Sequence, residues 1–495
     1  MATVFLGNYL DGAFRPVNKG DPFTSIDPAT RGEVVLTARA DLAAVDQAAS
    51  AARRAAPGWR RSGLGARIAA LRKVQDKVAA HKERIAEAIT AEMGKPLGEA
   101  RVEAGSIVGK IEAVIGQLPH ELPPAHPGAP GEQRFHPLGV VGVIGPFNFP
   151  VHLLNTHVIP ALLVGNTLVL KPSEVTPLAG QRYAELFHDA GFPAGVLNVV
   201  HGLGPTGAAL AAHDDIDGVI FTGSYATGRR IREATFDQPH KKVCLELGGK
   251  NPAVVLDDAD LDQATREIVL GALLTVGQRC TATSRVIVTS GIADALEARL
   301  VAAFAKVVPG DPKLASTFMG PLATHGSRAR FMDTLAQLRA QGAEVLVESA
   351  ALPGGAYVTP SVYRVRGHEP GLHVEHFGPH IDFEVAVDEA DAFSRVAKNP
   401  YGLSASLFSR RREALEDFYD AVRVGVLNFN RSTNGASGLL PFGGTGMSGN
   451  WMPAGSCAPR LGTFPVAVLE AKYGARTRND ALDRCLAASG KKGPS

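Results

Sequence analysis

Cysteine is scarce in this sequence, and the few cysteines lie far apart. Among 495 residues there are four, at Cys244, Cys280, Cys457 and Cys485. None forms a Cys-x-x-Cys pair, so the spacing excludes a disulfide framework and gives no sign of a zinc site or a redox dithiol. Free cysteine is usually a small buried apolar residue, and Cys244, between Val243 and Leu245, fits that role.

The sequence also lacks a long apolar run and an excess of charge of either sign. Its 51 lysine and arginine residues nearly balance 49 acidic residues, which leaves a net charge of +2. With so small a net charge, the protein has no overall electrostatic field that would attract nucleic acid or an anionic membrane. No apolar stretch reaches the roughly 18 residues of a transmembrane helix, and residues 1–14 lack the features of a secretory signal. We therefore expect a cytoplasmic protein without a nucleic-acid or membrane partner.

Clusters of metal-ligating residues are lacking as well. His152 and His157 are five residues apart, so they would not share a helix face as residues i and i+4 do. No acidic or cysteine cluster accompanies them. We expect no bound metal ion.

Short β-rich segments alternate with helical segments between about residues 138 and 256. The apolar runs lie at 140–144, 167–170, 196–200, 218–221 and 243–247. Unbroken Val, Ile and Leu runs are typical of strands buried on both faces of a parallel sheet. One connecting helix has clear limits, with Thr176 as N-cap, Pro177 at its first position and Gly191 beyond its end. The alternation predicts an α/β fold with a Rossmann-like domain.

Helical periodicity also runs through residues 42–116, upstream of this region. Residues 118–130 contain five prolines, which predict a sharp break in the helical pattern. Further α/β alternation follows residue 246 as far as about residue 441, and the chain ends in a polar tail at 491–495. The order of these segments predicts a second α/β domain.

A Gly-x-Gly-x-x-Gly sequence at residues 202–207 follows one predicted strand and begins a helix, as a dinucleotide-binding fingerprint requires. The acidic residue that should end the next strand is absent, because residues 220–224 contain no carboxylate. The ribose contact must therefore lie elsewhere in the sequence.

Lys171 and Glu174 are better candidates for that contact, because they follow the strand at 167–170, at the edge where open α/β sheets bind ligands. A carboxylate accepts hydrogen bonds from a ribose diol and repels a 2′-phosphate, so Glu174 favours NAD over NADP. A solvated ion pair on a loop is the alternative. A second glycine pair, at 223 and 228, begins a helix whose N-terminus could face a pyrophosphate, or it is an ordinary turn.

Three residues next to tight turns carry the chemistry of a covalent thiol mechanism. Cys280, in the segment 277–281, could add to an aldehyde carbon. Asn148 could donate to the oxygen that gains charge, although capping a turn is the plainer role of an asparagine. Glu246, followed by Gly248 and Gly249, could activate water for thioester hydrolysis, although a glutamate at a strand end is often exposed or ion-paired.

The motifs, in this order, resemble those of the NAD(P)-dependent aldehyde dehydrogenase superfamily. The resemblance rests on residues 145–150, 171–174, 246–250 and 277–281, and extends from 27–34 to 441–444. It implies that Cys280 is the nucleophile, Glu246 the general base and Asn148 the oxyanion ligand. It further implies an NAD cofactor contacted by residues at strand ends and glycine turns, namely Phe147, Lys171, Ser173, Glu174, Gly204, Gly207, Phe221, Gly223, Ser224, Gly228, Leu247, Gly248, Glu375 and Phe377.

The sequence departs from the family pattern at three places. Val374 stands where a second acidic residue is usual, and His376 stands where an aliphatic residue is usual. Phe147 replaces the common tryptophan before the oxyanion asparagine. The first two departures concern local packing around Glu375 and Phe377.

Residues 145–153, 155–157, 428–431 and 441–450 resemble one branch of the family, which oxidises a carboxylate-bearing semialdehyde of arginine catabolism. Such a substrate calls for cationic residues, and the candidates are Lys110, His152 and Arg431, each of which could instead be a surface or structural residue. A CoA-acylating dehydrogenase, a noncatalytic protein with the same fold and a thiol hydrolase are the competing functions. The presence of Glu246, a candidate base for activating water, favours water over CoA as the acyl acceptor.

The resemblance also implies a domain organisation. We expect a cofactor-binding domain from residues 1–118 and 140–245, a catalytic domain from 246–445, and a small β oligomerisation arm from 119–139 and 446–495. The arm would join subunits into a homodimer or homotetramer.

Overall fold

Two seven-stranded, mostly parallel sheets organise the chain in the computed structural model, which describes residues 4–124, 131–366 and 373–488. The N-terminal elements are β1 (Asn8–Leu10), β2 (Ala13–Arg15), β3 (Asp21–Ile26), β4 (Val34–Ala40), α1 (Ala43–Arg61), α2 (Leu64–Met93), α3 (Leu97–Glu121) and β5 (Glu132–Pro137). The first sheet and its helices continue with β6 (Val140–Ile144), α4 (His152–Leu163), β7 (Thr167–Lys171), α5 (Pro177–Asp189), β8 (Leu197–Val199), α6 (Gly204–Ala212), β9 (Gly218–Thr222), α7 (Tyr225–Ala234) and β10 (Lys242–Glu246).

The second sheet and the C-terminal segment follow. Their elements are β11 (Asn251–Val255), α8 (Leu261–Leu273), β12 (Thr283–Thr289), α9 (Ala293–Phe304), α10 (His325–Ala340), β13 (Glu344–Val347), β14 (Ser361–Arg364), β15 (His380–Ala386), α11 (Glu389–Ala397), β16 (Tyr401–Gly402), β17 (Ser404–Phe408), α12 (Glu413–Ala421), β18 (Val426–Phe429), β19 (Pro441–Phe442), β20 (Thr445–Gly446), β21 (Ala454–Gly455), α13 (Ala458–Leu461), β22 (Thr463–Val468) and α14 (Asp480–Ala488).

The first sheet has the strand order β10-β9-β6-β7-β8-β1-β2. Its five strands from β10 to β8 are parallel, and β1 and β2 extend it antiparallel. Each predicted strand is observed with its limits within one residue, because buried parallel strands are continuous apolar runs that end where polar residues and glycine begin. The predicted Rossmann-like α/β character is confirmed.

The predicted helical region 42–116 forms α1, α2 and the start of α3. The predicted break at residue 118 is wrong by a few residues, since α3 continues through Pro119 to Glu121. Pro119 lies in the last turn, where a missing N–H group removes a single helical hydrogen bond. Residues 125–130 of the predicted arm and 491–495 of the polar tail lie outside the described residues.

The second sheet has the order β13-β14-β15-β12-β11-β17-β18 and is parallel except for β13. A separate antiparallel pair joins β5 to β22, with Thr463 opposite Pro137. This pair connects the two segments predicted to form the arm, whose exact limits stay a prediction. Within the three described ranges, no helix combines the length and apolar character that a membrane crossing requires.

The first sheet places four loops at one edge, because the carboxyl ends of its parallel strands point the same way. The segment with Asn148 follows β6, Lys171 ends β7, Gly223 follows β9 and Glu246 ends β10. The turn before β12, a strand of the second sheet, brings Cys280 to the same edge. A cavity lined by Cys280 lies there.

Candidate active site

A small cavity is lined by residues from the first sheet and from the Cys280 turn before the second sheet, and two of the three predicted catalytic residues face it. The space open to the centres of water molecules is about 10 Å³, which is room for roughly one water molecule. The cavity is lined by Leu153, Thr156, His157, Thr222, Glu246, Leu247, Cys280, Phe442 and Ala454. Glu246 and Cys280 therefore face a common space although 34 residues separate them in the sequence.

Cys280 is a half-buried residue that lines this space. Burial, reinforced by the carboxyl groups of Glu246 and Glu375, raises its pKa to about 12. The backbone N–H groups of Cys280 and Thr281 act in the opposite direction by donating to the sulfur. The resting residue is thus a neutral thiol that needs a base before it can act as a nucleophile.

Glu246, the predicted base, is the last residue of β10. Its carboxyl group is buried, and Oε1 accepts a hydrogen bond of 3.4 Å from the backbone N–H of Ala454. Its Oε2 atom is buried, and no described residue forms a hydrogen bond with it. Burial raises the pKa of Glu246 well above its usual value. A carboxylate with a free oxygen beside a space for one water molecule is suited to general base catalysis.

Asn148 reaches the loop that carries Cys280. Its buried side-chain Nδ2 donates to the backbone carbonyl of Gln278 at 2.9 Å, and its own carbonyl accepts from Lys95 Nζ at 2.7 Å. An amide nitrogen has two hydrogens, so one remains for a substrate oxygen. The structure brings Asn148 next to the Cys280 loop, as an oxyanion donor requires.

The ribose candidates lie at the end of β7. Lys171 Nζ is 2.8 Å from Glu174 Oε2. Partial burial opposes ionisation of Glu174, but the charge and hydrogen bond of Lys171 outweigh it, so the pKa of Glu174 is lowered. Ser173 Oγ accepts a hydrogen bond of 3.2 Å from the N–H of Val175. This bond stabilises the turn that carries Glu174. The carboxylate of Glu174 is ionised and partly open to solvent.

Two helices begin at the same edge and fit a bound dinucleotide. No side chain caps the first turn of α6, and a Cβ atom on Gly204 would meet open space. Ser224 caps α7 by accepting from the N–H of Thr227 at 3.3 Å. A Cβ atom on Gly228 would lie 2.7 Å from Leu247, so only glycine lets α7 approach that residue. Of the remaining predicted contacts, Gly207 lies in α6, and the Phe221 ring packs under Gly223.

The other end of the predicted cofactor site combines Glu375, Phe377 and Phe147. Glu375 Oε1 accepts from the N–H of Gly249 at 3.0 Å, and a side chain at Gly248 would collide with this carboxylate. Burial raises the pKa of Glu375 to about 7. The rings of Phe147 and Phe377 meet edge to face at 5.9 Å.

The predicted substrate residues are only partly brought together. Lys110 is buried and donates to the Gly455 carbonyl at 3.3 Å, next to Ala454 in the cavity wall. His152 bonds Ser106 Oγ through Nδ1 at 2.9 Å and begins α4, the helix that lines the cavity. Arg431 is exposed and does not line the cavity. A substrate contact by Arg431 thus finds no support in the geometry.

Sequence reasoning missed several cavity residues. His157 lines the cavity and bonds Thr222 Oγ1 through Nε2 at 3.1 Å, and its buried Nδ1 atom has no partner within the described part of the chain. Burial lowers its pKa to about 3, so the imidazole is neutral. The signal was available, because Leu153, Thr156 and His157 have the i, i+3, i+4 spacing of one helix face.

One buried cluster has the composition of a metal site. Side-chain atoms of His376, His380 and Asp382 lie within 4.8 Å of one another. Lys250 Nζ is 2.6 Å from Asp382 Oδ2 and 3.0 Å from His376 Nδ1. The Lys250 ammonium group therefore takes the place of a metal ion beside Asp382 and His376. The polar surroundings explain how His376 is accommodated in place of an aliphatic residue.

Comparison with known proteins agrees with this geometry. The model of the aldehyde dehydrogenase family matches residues 14–456. An N-succinylglutamate 5-semialdehyde dehydrogenase of Burkholderia thailandensis is 37% identical over 481 residues, which cover 95% of this chain and 97% of that protein.

Solved structures show the same fold. A Pseudomonas syringae aldehyde dehydrogenase C variant in complex with NAD+ and octanal is 30% identical with a TM-score of 0.89, over 94% of this chain and 96% of the other. An NAD-dependent aldehyde dehydrogenase of Sinorhizobium meliloti is 32% identical with a TM-score of 0.91, over 95% of both chains. These findings confirm the resemblance, and the chain belongs to the aldehyde dehydrogenase family.

Proposed function

We propose that this oxidoreductase converts an anionic semialdehyde, such as N-succinylglutamate 5-semialdehyde, to a carboxylate with NAD as hydride acceptor. One observation carries the proposal: the thiol of Cys280 and the unpartnered Oε2 of Glu246 line one cavity, while the Asn148 amide bonds the nucleophile loop. The named relative acts on a semialdehyde, and NAD+ is bound in the Pseudomonas structure, which supports both parts of the proposal.

The first step is addition of sulfur to the aldehyde carbon. The neutral thiol of Cys280 must lose its proton, and the water molecule for which the cavity has room can carry it to solvent. As the S–C bond forms, the carbonyl oxygen of the thiohemiacetal gains negative charge. The free N–H of Asn148 and the backbone N–H of Cys280 donate to this oxygen, and each such donor is worth about 3 kcal/mol of barrier.

Several residues of this chain would hold and orient NAD, which accepts the hydride from the thiohemiacetal carbon when bound. Lys171 and Glu174 would bind the ribose diol, and the N-termini of α6 and α7 would face the adenine and pyrophosphate portions. Glu375, Phe377 and Phe147 would fix the nicotinamide half. Loss of hydride leaves an acyl group attached to Cys280 as a thioester.

The last step is hydrolysis of this thioester. The cavity has room for about one water molecule beside Glu246 Oε2. The raised pKa of Glu246 makes its carboxylate a stronger base than an exposed one, so it can take a proton as the water attacks. The C–S bond breaks, Cys280 recovers its thiol and the carboxylate product leaves.

The buried side chain of Lys110 supports the proposal of an anionic substrate. Burial lowers the pKa of Lys110 to about 8, and its hydrogen-bond partner is the carbonyl of Gly455. Among the described residues, no carboxylate lies within ion-pairing distance of Lys110. A substrate carboxylate would supply the missing counter-ion. Assembly into a cytoplasmic homodimer or homotetramer through the arm of β5 and β22 belongs to the same proposal.

The proposal is tested by the absorbance of NADH formed with NAD and a series of acidic and neutral semialdehydes. The wild-type protein is expected to form NADH fastest with the acidic ones. Cys280→Ser, which replaces only the sulfur, should abolish this signal while NAD still quenches protein fluorescence. Equal rates of NADH formation in both proteins would reject catalysis by this thiol.

A further inference from the structure

The turn that precedes Cys280 has an unfavourable backbone. Thr275 has φ 54° and ψ 31°, Val276 has φ 57° and ψ 34°, and Gly277 has φ 68°. Left-handed conformations are costly for residues with a Cβ atom, and most costly for β-branched ones such as threonine and valine. Two such residues in succession persist only where the surrounding structure holds them.

A carboxylate from α3 provides that hold. Glu99 Oε1 accepts from the backbone N–H of Thr275 at 3.2 Å, and Oε2 accepts from the Thr275 hydroxyl at 2.8 Å. Oε2 also accepts from Arg279 Nη2 at 2.8 Å, and Arg279 Nε donates to the Thr275 hydroxyl at 3.0 Å. One side chain thus ties the start of the strained turn to the residue that directly precedes Cys280.

The segment around the start of α3 also holds Asn148, the proposed oxyanion donor. Lys95 donates to the backbone carbonyl of Asn148 and pairs with Glu103 in a fully buried site. Glu103 Oε1 accepts from the N–H groups of Val151 and His152, at the start of α4. Glu99 and Glu103 are four residues apart on α3, so they share one side of the helix, and Lys95 lies just before its first residue.

We propose that Glu99 is a positioning residue that sets the orientation of the Cys280 thiol by clamping residues 275–279 against α3. The inference deepens the proposed function, because it concerns the same nucleophile. Glu99 acts through Thr275 and Arg279 and contacts neither the substrate nor the sulfur. Charge and geometry both matter, because the carboxylate accepts three hydrogen bonds, one of them from a guanidinium group.

The test is the rate at which iodoacetamide alkylates Cys280 in the absence of NAD and aldehyde. Glu99→Gln puts an N–H donor opposite either the Thr275 N–H or Arg279, so the clamp is weakened. We expect alkylation and kcat to fall together by roughly 10- to 100-fold, since small misplacements of a reacting group have effects of this size. The KM for NAD and the melting temperature should stay near the wild-type values.

Glu112→Gln is the matched control. Glu112 lies on the same helix, and its Oε1 atom is 3.5 Å from Arg72 Nε, so this ion pair does not involve the turn. It should react at the wild-type rate. Thr275→Ala removes one hydroxyl from the clamp, and its effect should not add to that of Glu99→Gln, since both changes break the same contact. Wild-type alkylation in Glu99→Gln, or additive effects in the double variant, would overturn the inference. Neither result depends on NADH formation, so this test is separate from that of the proposed function.

Discussion

The side-chain amide of Asn148 donates a 2.9 Å hydrogen bond to the backbone carbonyl of Gln278. Gln278 precedes Cys280 by two residues, so this bond holds the Asn148 amide against the loop that carries Cys280. Both groups come from strand-end loops of different sheets. Preorganised donors of this kind need no rearrangement in the transition state.

Asn148→Ala should therefore lower kcat/KM for the aldehyde by about 10²- to 10³-fold, because one oxyanion donor is lost. The affinity for NAD should change little, since the amide faces the nucleophile loop. Steady-state kinetics and fluorescence titration with NAD measure the two effects. A kcat/KM within threefold of the wild-type value would remove Asn148 from the mechanism.

Glu174→Gln should raise the KM for NAD by roughly tenfold, because hydrogen bonds to a charged group are worth more than neutral ones. The same change removes a negative charge that would repel a 2′-phosphate, so the preference for NAD over NADP should narrow. Kinetics with both cofactors test this expectation. Glu416→Gln, which disrupts an exposed pair with Arg412 at 2.6 Å, is the control and should keep the wild-type ratio.

Lys110→Met should lower kcat/KM for a carboxylate-bearing semialdehyde by about tenfold or more, and leave a neutral aldehyde of similar length nearly unaffected. In the wild-type enzyme, kcat/KM for the acidic substrate should fall as the pH rises through about 8, where Lys110 loses its charge. Lys241→Met is the control, because Lys241 is also buried and donates to the carbonyls of Ala211 and His213, away from the cavity. Equal losses with acidic and neutral aldehydes would contradict the role of Lys110.

Glu92 makes stability depend on pH. Burial raises its pKa to about 8, although its two oxygens accept from the N–H groups of Leu178 and Ala179. Between the ordinary carboxyl pKa and 8 the folded protein keeps a proton that the unfolded chain releases. This contribution to stability is complete at low pH and is lost as the pH rises, at up to about 1.4 kcal/mol per pH unit.

Glu92→Gln should remove this slope and lower stability at pH 5 by about 1 kcal/mol, since one hydrogen bond at the start of α5 is lost. Melting temperatures of the variant and the wild type between pH 5 and 8 measure the effect. The wild-type protein should be the more stable one at pH 5, and the variant should be the more stable one near pH 8, because only the wild type loses stability as the pH rises. Parallel profiles would show that the Glu92 carboxyl group is not protonated in the folded protein.

The sequence predicts the first sheet well because of a simple physical cause. Strands covered on both faces must be apolar throughout, and glycine or polar residues mark their ends, so β6 and its neighbours are visible as discrete runs. The end of α3 is less visible, because Pro119 in a last turn costs little and does not stop the helix there.

The same contrast holds for the site. Cys280, Glu246 and Asn148 can be selected because rare or chemically specific residues stand beside glycine turns and strand ends. Glu99 cannot, since an acidic residue on a helix has the pattern of a solvated face, and its partner Thr275 is 176 residues away. The substrate contact suggested for Arg431 rests on a motif alone and stays a prediction, because its side chain is exposed and does not line the cavity.

The central claim is that an acyl group is carried on Cys280 and removed by water that Glu246 activates. Glu246→Gln keeps the shape of the side chain but loses the base, so hydride transfer should proceed once and hydrolysis should slow by roughly 10²- to 10⁴-fold. The most direct measurement is mass spectrometry of this variant after mixing with NAD and the semialdehyde. We predict one equivalent of NADH and a Cys280 peptide heavier by the aldehyde less two hydrogens. NADH release without that adduct, or full turnover by the variant, would contradict the account.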